Sequence, residues 1–127
     1  MREPGLLERL KVLVVEDNFL LAEVTKDLLE QHGCEVVGPV GWVASALKLA
    51  EDEELDGAIL DINLHGEFSF PIAEVLHAHG IPFMFVTGYN DLAIIPAALR
   101  TVKRLDKPVA DQDLLDAAAE LFGARVA

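Results

Sequence analysis

Short apolar runs alternate along this chain with longer segments in which apolar residues recur every three or four positions. The runs fall at about 11–15, 34–38, 57–60, 82–86 and 102–106. Runs of that length between helical segments predict parallel strands buried on both faces. A first helix is expected from Asn18, which can cap it, to Gln31, with Leu21, Val24 and Leu28 on one face and Gly33 ending it. A second spans 42–52 with the stripe Val43, Ala46, Leu47 and Ala50, and a third spans 69–79 and stops at Gly80. A last helix at 111–123 turns Leu114, Leu115, Ala118, Leu121 and Phe122 inward. The segment 89–101 has helical composition, but Pro96 in its middle removes a backbone donor, so a broken fourth helix is expected. Residues 63–67 read as a loop, and 1–9 as a leader with one helical turn through Leu6, Leu7 and Leu10. The pattern predicts an α/β fold, a doubly wound (βα)5 domain around a five-stranded parallel sheet with right-handed crossovers.

Composition narrows this. At 127 residues, 52% hydrophobic and 25% charged, the chain is expected to be one globular domain over 10–127 with no output domain. No apolar stretch approaches the ~20 residues that span a bilayer, and the start lacks a secretory layout, so a cytoplasmic location is expected. The net charge of -12 argues against binding nucleic acid or an anionic membrane. Cys34 is the only cysteine, which excludes an internal disulfide and suggests a buried, inert thiol.

The strand ends carry the chemistry. In open α/β sheets ligands lie outside the carboxyl ends of the strands. Here the first run ends in Glu16-Asp17, the third in Asp61, the fourth in Thr87 and the fifth in Lys107-Pro108. If the first and third strands are neighbours, three carboxylates converge. Like charges ~4 Å apart repel by ~4 kcal/mol at an effective dielectric near 20. A hard divalent cation relieves that repulsion, and magnesium suits a site of a few carboxylates and phosphate oxygens. Asp61 can then act as a nucleophile toward phosphorus, Lys107 can stabilise the oxygens in flight, and the Thr87 hydroxyl can hold one of them. Each strand end alone is an ordinary turn or helix start; their joint occurrence is what argues for function.

Val-Leu-Val-Val-Glu-Asp-Asn at 12–18, Leu-Asp-Ile-Asn-Leu at 60–64, Val-Thr-Gly at 86–88 and Asp-Lys-Pro at 106–108 together resemble the receiver domain of two-component response regulators. The resemblance covers about 10–124 and implies a flavodoxin-like receiver fold. It implies Asp61 as phosphoacceptor and metal ligand, Asp17 as the direct metal ligand with Glu16 as its partner acting through water, Asn63 as a carbonyl ligand, Thr87 as the switch hydroxyl and Lys107 as the phosphate-binding lysine. It implies Mg2+ as cofactor, a sensor histidine kinase or histidine phosphotransfer protein as partner, and a cis bond before Pro108.

Three departures stand out. Arg104 occupies the place of the usual aromatic switch, and His65-Gly66 the place of a usual proline. The string Phe-Val-Thr-Gly-Tyr at 85–89 resembles a receiver subclass nicknamed FATGUY, which also lacks the aromatic and has an irregular fourth helix. That subclass is associated with kinases of the HWE/HisKA2 type. Arg104 and Tyr89 are therefore the candidate switch residues, and Tyr89 and His65 could govern the access of water to the acyl phosphate. Trp42 reads as a partly buried helix cap, and His77 and His79 as solvated rather than metal-binding. The function expected is that of a single-domain, monomeric regulator acting through an unidentified downstream protein; the alternative is a phosphorylation-independent binding module. The broken fourth helix is what favours a monomer.

Overall fold

The computed structural model describes residues 7–88 and 92–123. Five parallel strands form the central sheet: β1 (Lys11–Val15), β2 (Glu35–Val40), β3 (Gly57–Asp61), β6 (Phe83–Thr87) and β7 (Arg104–Asp106). Their spatial order is β2-β1-β3-β6-β7. Order reverses between β1 and β3, which makes their carboxyl ends the place where a crevice opens. Helices α1 (Phe19–Gln31), α2 (Val43–Asp52), α3 (Phe70–Ala78) and α4 (Asp111–Ala118) connect and cover the strands, and α4 continues as a π-helical turn over Ala119–Gly123.

Alternation along the strands divides the core into two layers. Leu13, Val15, Ala58, Leu60, Phe83 and Phe85 pack toward α2 and α3. Val12, Val14, Ile59 and Met84 face the opposite layer with Leu29, Leu114, Ala118 and Phe122. Gly57 begins β3 with the Phe122 ring against it, and a Cβ there would collide with that ring. Leu7 and Leu10, from the expected leader, are both 4% exposed and close this second layer. Cys34 lies in the same layer, donates to the Leu7 carbonyl at 3.3 Å, and has its thiol pushed up to about 11 by burial.

The first helix starts where its cap places it: the Asn18 side chain accepts the Leu21 N–H at 3.1 Å. Its buried residues are Ala22 and Leu29, however, while Leu21 and Val24 are 41% and 50% exposed. The expected stripe thus lines an open groove instead of a closed core. Trp42 is likewise 55% exposed, at the N-cap of α2 without a capping bond.

Three other expectations change. Residues 63–67 are not an open loop: β4 (Asn63–Leu64) and β5 (Glu67–Phe68) pair antiparallel around His65-Gly66. Both turn residues have positive φ, 50° and 85°, the signature of a two-residue type I′ hairpin turn. Strand β2 runs through Pro39, which an edge strand tolerates, with a register shift opposite Leu13/Val15. The last strand begins at Arg104, not at 102. Between β6 and β7 the chain makes two 3-10 turns, Leu92–Ile94 and Ala97–Leu99, on either side of Pro96. They still bury Ile95 and Leu99 against the sheet, so the irregular fourth helix is observed over its described part. Tyr89 and residues 1–6 lie outside the described residues. Among the described residues no helix is long and apolar enough to cross a membrane.

Candidate functional site

Strand register brings the polar ends together. Val15 pairs with Leu60, so Glu16 leaves β1 beside Asp61 at the end of β3. Asp61 pairs with Val86, which sets Thr87 one residue further along β6, and Thr87 pairs with Asp106, which sets Lys107 just past β7. The backbone secures this edge: the Glu16 N–H donates to the Val40 carbonyl at 2.9 Å, and the Lys107 N–H to the Thr87 carbonyl at 2.8 Å. The Lys107–Pro108 bond is cis, as the family resemblance implies; Gly38–Pro39 is also cis.

Residues at the ends of four strands converge there. Glu16, Asp17 and Asp61 each offer a carboxylate oxygen, all within 4.8 Å of one another. Lys107 Nζ lies 2.9 Å from Asp61 Oδ2 and 2.8 Å from Glu16 Oε1. Asp61 and Thr87 are buried, at 7% and 0% exposure. Asp17 is more open, and its Oδ2 accepts the His65 N–H at 3.0 Å. Asn63, two residues past Asp61, accepts the Gly66 N–H on its side-chain oxygen at 3.0 Å and so holds the hairpin turn in place. His77 and His79 join no metal-competent cluster among the described residues.

Crowding of charge shows in the titration of these groups. Burial, then the neighbouring Asp61, pushes the Glu16 carboxyl up to about 7, against the pull of Lys107 and of the Asn18 N–H. Burial also acts to raise Asp17, but the His65 N–H and its other hydrogen bonds outweigh it and hold this carboxyl below its usual value. For Lys107 desolvation favours the neutral amine, yet Glu16 and Asp61 prevail and raise it. With every group ionised, three carboxylates and one ammonium leave two negative charges. That sum and an all-oxygen donor set fit a hard divalent cation. Glu16, Asp17 and Asp61 would hold it.

A groove of about 340 Å³ runs from Glu16, Asp61 and Lys107 between Leu21, Val24 and Leu28 of α1 and Val109 and Leu114 near α4. The apolar floor comes from Val14, Ile59 and Val86. Exposed Phe19 and Leu20 stand at the α1 end nearest the acidic cluster.

A flavodoxin-like parallel sheet ordered β2-β1-β3-β6-β7, with acids, a hydroxyl and a lysine at its carboxyl edge, is consistent with a phosphoacceptor signalling domain. Residues 12–119 match the response regulator receiver domain, and the chain belongs to that family. It is 30% identical over 109 residues to the sensory transduction protein LytT of Bacillus cereus, covering 84% of this chain and 44% of that protein. It is 28% identical over 102 residues to the transcriptional regulatory protein YpdB of Escherichia coli, covering 78% and 42%. The chain thus spans less than half the length of these curated relatives. Among solved structures, SdrG from Sphingomonas melonis is 40% identical with a TM-score of 0.75, covering 89% of this chain and 98% of that one. The receiver domain of a modulated diguanylate cyclase from Desulfovibrio desulfuricans is 28% identical with a TM-score of 0.82, covering 94% and 98%.

The candidate residues Glu16, Asp17, Asp61, Thr87 and Lys107 gather at one place. Arg104 stands apart from the acids: it faces Phe85 across the β6–β7 ladder, with Nε 3.9 Å from Asp106 Oδ1. Sequence reasoning did not foresee that His65 reaches Asp17 through its backbone. The available signal was His-Gly between two residue pairs that can form strands, the pattern of a two-residue hairpin turn.

Proposed function

We propose that Asp61 accepts a phosphoryl group from a phosphohistidine on a sensor histidine kinase or a histidine phosphotransfer protein. The observation that carries this reading is Lys107 Nζ, held between Asp61 and Glu16 with Asp17 beside them. An Asp61 carboxylate oxygen attacks phosphorus, the P–N bond to the donor imidazole breaks, and an aspartyl phosphate forms. Lys107 moves from the carboxylate to the incoming phosphoryl oxygens, and the Thr87 hydroxyl bonds one of them. Bound Mg2+ would neutralise charge on the carboxylates and phosphoryl oxygens, with Asp17, Glu16, Asp61 and the Asn63 carbonyl as its ligands. The exposed apolar end of α1, next to the acids, suits the approach of a partner helix. Output then passes through protein contacts in the cytoplasm, with the domain acting as a monomer.

The test is to incubate the protein with acetyl phosphate and Mg2+ and follow its intact mass. An acid-stable, base-labile phosphoryl adduct is expected; it should be missing when EDTA is added and in Asp61→Asn. No adduct with any donor, a cognate kinase included, would favour a phosphorylation-independent binding module.

We also infer membership of the FATGUY subclass, with HWE/HisKA2-type kinases as partners. Support comes from the string 85–89, from Arg104 in place of an aromatic, and from the broken segment around Pro96. Arg104, anchored only loosely to Asp106, borders this segment, and Arg100 within it donates to the Ile95 carbonyl at 2.9 Å. Tyr89 would act with Arg104 as the switch. Arg104→Ala is expected to change the amide chemical-shift response of 92–101 to beryllofluoride; an identical response would remove Arg104 from the signal path.

A further inference from the structure

The metal side of the site is bounded by a contact that phosphotransfer itself does not use. The Trp42 and His65 rings stack with centroids 3.8 Å apart and planes 14° from parallel. Trp42 follows β2 and His65 sits in the β4–β5 turn, so the stack ties together two loops that flank Asp17. His65 holds a φ of 50°, a left-handed conformation that a side chain reaches at a cost. In that conformation its N–H donates to Asp17 Oδ2 at 3.0 Å. Gly41 completes the fit: a Cβ there would come within 3.1 Å of Asp17 Cα and 3.5 Å of His65 Nε2. The two loops approach closely because residue 41 has no side chain.

From this geometry we infer that the Trp42–His65 stack is a latch that positions Asp17 for metal binding. The inference rests on the reading of Glu16, Asp17 and Asp61 as a magnesium site. A carboxylate with one oxygen fixed by a donor presents the other in a set direction, which is how outer-shell partners tune metal affinity. Here the donor is a backbone N–H in an unfavoured conformation. Stacking against Trp42 adds to the hairpin pairing and the Asn63–Gly66 hydrogen bond in resisting its relaxation. His65 is therefore a positioning residue acting through Asp17, not a ligand.

The latch also gives the site an optical reporter, because Trp42 is the only tryptophan in the chain. Titration of the full chain with MgCl2 should change Trp42 emission, and in Asp17→Asn the change should vanish. Mg2+ affinity is then measured by calorimetry for wild type, Trp42→Ala, His65→Ala and His65→Phe, with thermal midpoints recorded alongside. Trp42→Ala and His65→Ala are expected to weaken Mg2+ binding about tenfold, the low end of what losing an outer-shell partner does. His65→Phe keeps a ring for Trp42 and should bind within about twofold of wild type, with the same restraint on Asp17. Equal affinities in all four proteins would overturn the latch while leaving the magnesium site standing. Equal losses in His65→Ala and His65→Phe would also overturn it, because the ring would then not be what matters. A wild-type protein that binds no Mg2+ would overturn the site reading and the latch together.

Discussion

Lys107→Ala is expected to slow the phosphorylation of Asp61 by acetyl phosphate about 100-fold, the usual cost of deleting one preorganised group that stabilises developing charge. The lysine is well placed for that role. Its Nζ already sits 2.9 Å from Asp61 Oδ2, and its chain is fixed by the N–H bond from Lys107 to the Thr87 carbonyl. A phosphoryl group arriving on Asp61 meets the ammonium without a search through rotamers. Lys107→Arg should recover only part of the rate, because a planar fork cannot take the place of a compact ammonium seated between two carboxylates. The measurement is a time course of adduct formation by intact mass at saturating Mg2+. A rate for Lys107→Ala within threefold of wild type would show that the metal alone stabilises the transferring group.

That prediction depends on a part of the molecule that was legible from the sequence. Glu16, Asp17, Asp61, Thr87 and Lys107 each follow a short apolar run, and strand register does the rest: residues at equivalent ends of parallel neighbours must lie side by side. The five strands, the second helix and the inward face of the last helix were legible for the same reason, since periods of 2 and 3.6 decide which side chains share a face. Periodicity does not reveal whether another element covers that face. Leu21, Val24 and Leu28 share a stripe as expected, yet the groove beside α4 leaves Leu21 and Val24 largely exposed. The second apolar run ends at 38, and the residue that follows, Pro39, lacks a backbone donor. On the edge strand β2 that donor is not needed, and the strand continues to Val40. The Trp42–His65 stack joins residues 23 positions apart across two loops, a contact set by tertiary placement and by Gly41, and no local pattern announces it.

Metal-free protein is expected to lose stability as pH rises from about 5 to 8, and Mg2+ is expected to restore it. Glu16 titrates at an ordinary value of 4.5 when unfolded and at about 7 in the fold, raised by burial and then by Asp61. A folded value above the unfolded one means that the native state retains a proton the unfolded chain has released. The contribution of this group is therefore fully present below about 4.5 and is lost as pH climbs through 7. At pH 8 the loss amounts to roughly 1–2 kcal/mol, after allowance for the solvent that reaches this carboxylate. Glu16→Gln cannot ionise and should flatten this part of the pH profile. In wild type a divalent cation replaces the proton, so the stabilisation by Mg2+, measured by urea unfolding with and without the ion, should grow from pH 5 to pH 8. It should fall sharply in Glu16→Gln at pH 8. A profile of metal-free wild type identical to that of Glu16→Gln would show that the acidic cluster relieves its repulsion without taking up a proton on Glu16. The same repulsion that weakens the metal-free site would then have to be absorbed by Lys107 and by the N–H groups of Asn18 and His65, and the dependence of the site on a divalent ion would rest on phosphoryl transfer rather than on the resting fold.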